Sequence, residues 1–394
     1  MDLEQRLRES YDERLGSLDT TPGDVAAAQR TGQRMRARRR LSVAAAAVAV
    51  AAVGVAGTVV GIGGRGAGPA GSTGRWVELP APPLSQRSGA IGVWNGHEAI
   101  VLGGAAGYCA PNDDSCAVAP EFRDAAAYVP SQHRWHRIAD VPVKVGSGDQ
   151  LLAAGERVVL RHLVANGSTY FVYDPGADEW TPIRSLKGRP STVGHLLYGF
   201  AGDHVARYDA RSGLWTELPP DRIRPSLTQR QITGTSVGPV VTGYATTPGS
   251  DAQGHVVFAD VYDGKAWHRL PATGQTGNDE WFWTGTQMVD PQPGTPSGGV
   301  LDPRTGRWHA LPATFTDELG SGWGAVNASA GRWVASYGKL YDTDSGEVAT
   351  LPRPDGAPDD GVASVWAGNQ LLAFGGASTH DGVSLTNRAW LYTP

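Results

Sequence analysis

Seven times along this chain an aromatic or small apolar residue is followed, three positions later, by Leu or Ile. The pairs are Trp76/Leu79, Trp135/Ile138, Trp180/Ile183, Trp215/Leu218, Trp267/Leu270, Trp308/Leu311 and Val348/Leu351. Five run directly into proline, at Pro80, Pro219, Pro271, Pro312 and Pro352. The steps between them are 59, 45, 35, 52, 41 and 40 residues. One strand-like signature every 40–50 residues is the mark of a ring of small sheets, each unable to bury its own faces alone.

The half-unit before each pair is equally regular. Tyr128, Tyr173, Tyr208, Leu301 and Tyr341 precede the key Trp or Val by seven residues, and Tyr262 precedes Trp267 by five. Most are followed by Asp and a Gly-bearing turn, as in YDPGADEW, YDARSGLW, LDPRTGRW and YDTDSGEV. This predicts a third strand, an Asx or Gly turn and a fourth strand carrying the Trp. The first half of the unit is clearest where Gly89–Gly104 aligns without gaps on Gly361–Gly376. Each segment reads as strand, tight turn at Gly96 or Gly368, strand and a double-glycine stop. Glycine suits such turns because they require positive φ.

Double glycine after the second strand (Gly103-Gly104, Gly375-Gly376), Tyr-Asp in the third, then Trp and Leu-Pro in the fourth resemble kelch repeats. The resemblance covers residues 75–394, although only the first and last units keep the double glycine. It implies an all-β, seven-bladed kelch-like β-propeller, related to the galactose-oxidase/kelch superfamily. The chain ends inside a third strand at Tyr392, and the repeat region begins with an orphan fourth strand at Trp76. Joining them predicts seven complete blades and covers an otherwise aggregation-prone edge.

Upstream of the repeats, residues 41–62 carry no charge, and Arg34, Arg36, Arg38, Arg39 and Arg40 stand directly before them. A helix of this length would span about 33 Å, enough for a bilayer core. The positive-inside rule then predicts an uncleaved signal anchor with its N-terminus cytoplasmic and the propeller extracytoplasmic, and the short arm with its basic flank resembles bacterial (actinobacterial-type) membrane proteins. Residues 1–40 form a cytoplasmic arm in which Leu3, Leu7, Tyr11, Leu15 and Leu18 fall on one helical face. That stripe suits either a cytosolic partner of residues 1–20 or the headgroup surface. Residues 63–74 have a flexible linker's composition. The sole cysteines, Cys109 and Cys116, lie six apart in one loop, and an oxidising compartment would pair them.

Charge and motif content bound the chemistry. The chain has a net charge of −5, with +2 in residues 1–40 and −7 in the remainder, so the propeller has no electrostatic footprint for nucleic acid. No phosphate loop, His-Glu-x-x-His or Gly-x-Ser-x-Gly motif occurs. His136, His268 and His309 follow the repeat Trp and are expected on blade surfaces. The copper site of galactose-oxidase-like enzymes needs a Cys crosslinked to an inner-strand Tyr, whereas both cysteines here sit in an outer loop. No cofactor and no metal are expected, although Pro111–Asp114 has the composition of a calcium turn. Trp281 and Trp283 fit either packing between blades or stacking on sugar rings.

In an up-and-down ring, the linker's arrival at a fourth strand turns the tight-turn face toward the membrane and the long loops outward. Those loops are expected at 104–124, 246–255, 290–298 and 377–387, and at 219–230, 271–280 and 353–361. Loops on a rigid scaffold are where binding concentrates. Asp279-Glu280, Asp317-Glu318 and Asp359-Asp360 mark one side of this rim, and Lys144, Lys187, Arg189, Arg222, Arg224 and Arg230 the other. The expected function is a non-catalytic extracytoplasmic module binding a protein, peptide or glycan. Two alternatives stay open: an extracytoplasmic carbohydrate-active or oxidoreductase-type propeller enzyme, and a transmembrane regulator coupling an external ligand to a cytosolic partner.

Overall fold

Apolar runs that alternate with glycine turns at this spacing build seven four-stranded antiparallel sheets. The computed structural model describes residues 74–109, 119–221, 227–245, 255–271, 276–277, 281–291, 299–312, 323, 328–336, 338–380 and 382–394. Residues 1–73, and with them the expected arm, membrane span and most of the linker, lie outside the described residues. Among the described residues, no helix is long and apolar enough to cross a membrane.

From the axis outward, blade 1 comprises Ile91–Trp94, Ala99–Leu102, Ala125–Val129 and Arg134–Ile138. Blade 2 comprises Gln150–Ala154, Arg157–Val164, Gly167–Asp174 and Glu179–Ile183, and blade 3 Lys187–Val193, Leu196–Ala201, His204–Asp209 and Leu214–Glu217. Blade 4 comprises Leu227–Thr235, Gly238–Ala245, His255–Tyr262 and Trp267–Arg269, with Thr276–Gly277 added beside His255 and Val256. Blade 5 is Phe282–Trp283, Met288–Asp290, Gly299–Asp302 and Arg307–His309. Blade 6 is Ala328–Ala330, Trp333–Ser336, Lys339–Asp342 and Val348–Thr350. Blade 7 takes Ala363–Ala367, Gln370–Phe374 and Ala389–Thr393 from the chain's end and Arg75–Glu78 from the start of the ring.

That last sheet closes the ring as the orphan-strand argument expects. Trp76 stands opposite Tyr392, and Val77 opposite Leu391. Leu79 N–H donates to Ala389 O at 2.9 Å, and Arg388 grips both Glu78 carboxylate oxygens at 2.7 and 2.6 Å. The inner strands neighbour one another in cyclic order, blade 7 meeting blade 1. Both faces of each sheet are therefore buried. Ala99–Leu102 and Ala125–Tyr128 are wholly inaccessible, which explains their uninterrupted apolar sequence. Seven apolar clusters lie one between each pair of consecutive blades, the last holding Val365 and Phe374 against Val101 and Tyr128.

The repeat residues do two jobs here. Within a blade, Tyr and Trp face each other across the third and fourth strands, as in Tyr128/Trp135, Tyr173/Trp180, Tyr208/Trp215 and Tyr262/Trp267. Their ring centroids lie 5.1, 5.1, 4.9 and 5.2 Å apart. Between blades, the indole Nε1–H of Trp76, Trp267 and Trp308 donates to the carbonyl of Pro352, Pro219 and Pro271 in the preceding blade. Trp180 does the same to Ala139, which occupies the proline position of blade 1. In these four links the residue after Leu or Ile is thus the acceptor for the next Trp, whereas Trp135 Nε1 has no hydrogen-bond partner. Blade 3 differs: Arg184 fills the proline position and its guanidinium lies over Trp215, 5.6 Å from the ring centroid.

The Asp after Tyr173, Tyr208, Leu301 and Tyr341 caps its turn as expected. Asp174 accepts from Gly176 N–H, Asp209 from Arg211, Asp302 from Arg304 and Asp342 from Asp344. Double glycine has a steric cause. Gly376 has φ +115°, and a Cβ there would meet Pro358 Cγ at 2.5 Å and Asp360 O at 2.7 Å.

The expected loop limits need correction where strands run further. The segment 219–230 is not all loop, because the inner strand of blade 4 starts at Leu227. Arg230 therefore sits in a strand, paired with Asp221 and lying over Phe200. Lys187 and Arg189 likewise belong to the inner strand of blade 3, bent by a bulge before Ser191. The segment 377–387 holds a ribbon, Ala377–Ser378 against Ser384–Leu385.

Candidate axial site

Inner strands present one edge to the axis, so their side chains decide what the ring can hold there. A cavity of about 720 Å³ runs along the axis, lined by the inner strands of blades 1, 2, 3, 4, 5 and 7. That volume falls within the ordinary range for small-ligand pockets. Ser147, Gln150, Thr192, Gln231 and Ser364 give the wall neutral donors and acceptors. Half-buried Trp94, Phe282 and Trp283 give it flat apolar surface.

The charged members of this described wall are Asp149 and Arg189. Asp149 is committed to the protein. Its Oδ1 accepts Leu163 N–H at 2.7 Å, its Oδ2 accepts Gly146 N–H at 3.1 Å, and His162 Nδ1 lies 3.0 Å from Oδ2. With its side chain 5% exposed, it works as a strut between the start of blade 2 and the blade 2 hairpin that rises on the long-loop face. Arg189 is exposed.

At the seam between blades 7 and 1, the long-loop face is tied down. Arg87, fully buried, donates from Nη1 and Nη2 to Asp124 at 2.6 and 2.9 Å and from Nη1 to Gly103 O at 2.9 Å. Its own carbonyl accepts Gly376 N–H at 2.8 Å, so one residue links the double glycines of both blades. Burial opposes ionisation of Asp124, but Arg87, with Arg137 further off, holds its carboxyl below the usual range. Gly107 and Tyr108 stand at this seam, where Tyr108 O–H donates to Asp360 Oδ2 at 2.5 Å and Ser88 Oγ–H to Gly107 O at 2.6 Å. Burial, then the Asp360 hydrogen bond, pushes the Tyr108 phenol up to about 12.

The expected rim of opposed charges is only partly in view. Asp359 accepts Thr379 N–H at 3.0 Å and pairs with Arg353 at 2.9 Å. The Thr379 hydrogen bond, assisted by Arg353 and His380 against some burial, lowers its pKa. Asp359, Asp360 and Arg230 thus each hold partners within the protein, with Asp359 and Arg230 half-buried and Asp360 exposed. Asp279, Glu280, Asp317, Glu318, Arg222 and Arg224 lie outside the described residues, as do Cys116 and Pro111–Asp114. Cys109 is described at the edge of its loop. Trp281 is buried against Trp308, 5.6 Å away and edge-on, which is the packing role, while Trp283 also lines the channel. His136 and His268 sit on outer strands beside Glu98 and Asp263, as expected of blade-surface residues.

Sequence reasoning missed Arg87, Asp124, Asp149 and the channel amides, because none repeats at the blade period. Among the described residues, no group of three His, Cys, Asp or Glu is placed to hold a metal ion. No family model matches this sequence, and no curated protein matches it.

Proposed function

We propose that this chain is a kelch-like binding module, tethered to the cell membrane through residues 41–62, whose propeller recognises a protein, peptide or glycan outside the cytoplasm without catalysing a reaction. The wall of the axial channel carries the proposal. Its neutral hydroxyls and amides suit recognition, and Asp149 is engaged by two backbone N–H groups and His162. The inter-blade Trp-to-carbonyl bonds and the double glycines support the kelch-like reading. The uncharged run 41–62 behind five arginines supports the tether, and the extracytoplasmic placement supports a Cys109–Cys116 disulfide.

The test is binding of the full-length chain, held in lipid nanodiscs, to panels of secreted proteins, peptides and glycans. Saturable binding with no chemical change in the bound ligand is the expected result. Turnover of a bound carbohydrate would overturn the non-catalytic reading. The apolar stripe Leu3–Leu18 favours a second role, signalling to a cytosolic partner; deleting residues 1–20 would then change a transcriptional response to external ligand.

A further inference from the structure

The proposed function leaves the ligand class open, and the channel wall narrows it. We infer that the axial channel takes an uncharged, hydroxyl-rich chain, a neutral oligosaccharide segment. This inference rests on the binding-module reading above.

Three observations carry it. First, the polar side chains of the described wall are overwhelmingly hydroxyls and carboxamides. Each can donate and accept, as sugar hydroxyls do, so either partner can rotate to suit the other. Second, the wall offers a charged ligand little compensation. The Asp149 carboxylate is already satisfied and repels anions, and Arg189, the other charged residue of the described wall, is exposed to solvent that screens it. An ion drawn into the channel would lose hydration without a fixed counter-charge, which a neutral ligand avoids. Third, Gln150 Oε1, Ser364 Oγ and the indole Nε1 of Trp281 and Trp366 are buried wall atoms with no hydrogen-bond partner. Buried polar groups are normally satisfied, and exceptions ask for an explanation. A side-chain rotation that turned the Gln150 and Ser364 oxygens into the channel would give each a ligand partner. Beside them, Trp94, Phe282 and Trp283 provide the flat surfaces on which the C–H faces of pyranose rings pack.

The volume fits this assignment. A cavity of about 720 Å³ accommodates a few sugar rings, while a longer chain would project past the loops.

The experiment titrates the full-length chain in nanodiscs with neutral hexasaccharides (maltohexaose, cellohexaose, chitohexaose), with hexagalacturonate as the anionic arm. Intrinsic tryptophan fluorescence and calorimetry are read together. At least one neutral hexamer should bind saturably, and hexagalacturonate at least tenfold more weakly. Gln231→Ala and Ser147→Ala, on a half-exposed and an exposed wall residue, should each weaken binding about fivefold, the worth of one hydrogen bond. Val164→Asp and Val383→Asp, on exposed hairpin tips of the loop face, should leave it unchanged. Preference for the anionic hexamer, or neutral binding lost in the tip variants but kept in the wall variants, overturns the inference and leaves the binding-module reading standing. Failure of all hexamers while a secreted protein or peptide binds also overturns the inference alone. Failure of every panel overturns both.

Discussion

Trp267 measures what the link between blades contributes. Its side chain is 3% exposed, stacks on Tyr262 with centroids 5.2 Å apart, and donates from Nε1 to Pro219 O at 2.6 Å. Trp267→Ala removes all three terms and should cost about 3–5 kcal/mol, the range for buried Trp truncation. Trp267→Phe keeps an aromatic ring against Tyr262 but removes the donor, worth about 0.5–1.5 kcal/mol, plus about 1 kcal/mol of lost apolar contact. A net cost of roughly 1.5–2.5 kcal/mol follows. Trp135 supplies the internal reference, since its Nε1 has no hydrogen-bond partner, and Trp135→Phe should cost less by the value of that bond. Urea unfolding followed by far-ultraviolet circular dichroism and by fluorescence, with coincident transitions required, gives each value. If Trp267→Phe stays within about 0.3 kcal/mol of wild type, or matches Trp135→Phe, the Trp-to-carbonyl bond does not hold neighbouring blades together, contrary to the reasoning.

Three further outcomes follow from the same geometry. Gly376→Ala, whose new Cβ would strike Pro358 and the Asp360 carbonyl, should destabilise far more than Gly368→Ala, where φ is +66° and nothing lies within 4 Å; thermal melts of the two variants decide it. Arg87→Met strands a carboxylate and should cost about 3–5 kcal/mol, with partial recovery in Arg87→Met/Asp124→Leu; a double variant no better than the single would contradict the pairing. Asp263 is lowered to about 2 by the Ala266 and Lys265 N–H groups, with His268 assisting. Because the unfolded carboxyl binds its proton more readily, this stabilisation is complete above the unfolded value near pH 4 and fades as pH falls toward 2. The stability gap between wild type and Asp263→Ala should accordingly close across that interval, and a gap constant with pH would refute the assignment.

What was legible in the sequence is what repeats. Tyr-Asp, Trp and Leu-Pro recur because every blade must pair its outer strands and dock on its neighbour, and the same constraint written seven times shows through drift. The closure at Trp76 was legible because the repeat count left one fourth strand at the start and one vacancy at the end. The site was harder to read. Asp149, Gln150, Gln231 and Ser364 matter through their place around an axis that no local pattern encodes. At the rim, charge along the sequence does not show partners: Arg353, Thr379 and Tyr108 meet Asp359-Asp360 through the fold, Tyr108 from across the seam. Arg230 reads as a loop cation, but a strand begins at Leu227 and Asp221 lies within its reach.

The decisive measurement is disulfide trapping across the closure. Arg75 and Thr393 stand directly opposite in the last blade, both exposed, at a spacing that antiparallel strands and disulfides share. Arg75→Cys with Thr393→Cys in the full-length chain should link within one molecule on mild oxidation, seen as a crosslinked peptide pair by mass spectrometry. The control Arg75→Cys with Leu214→Cys, on blade 3, should not. Absence of the 75–393 crosslink in folded protein, or a link formed only between molecules, would mean that the ring is not closed by its first strand.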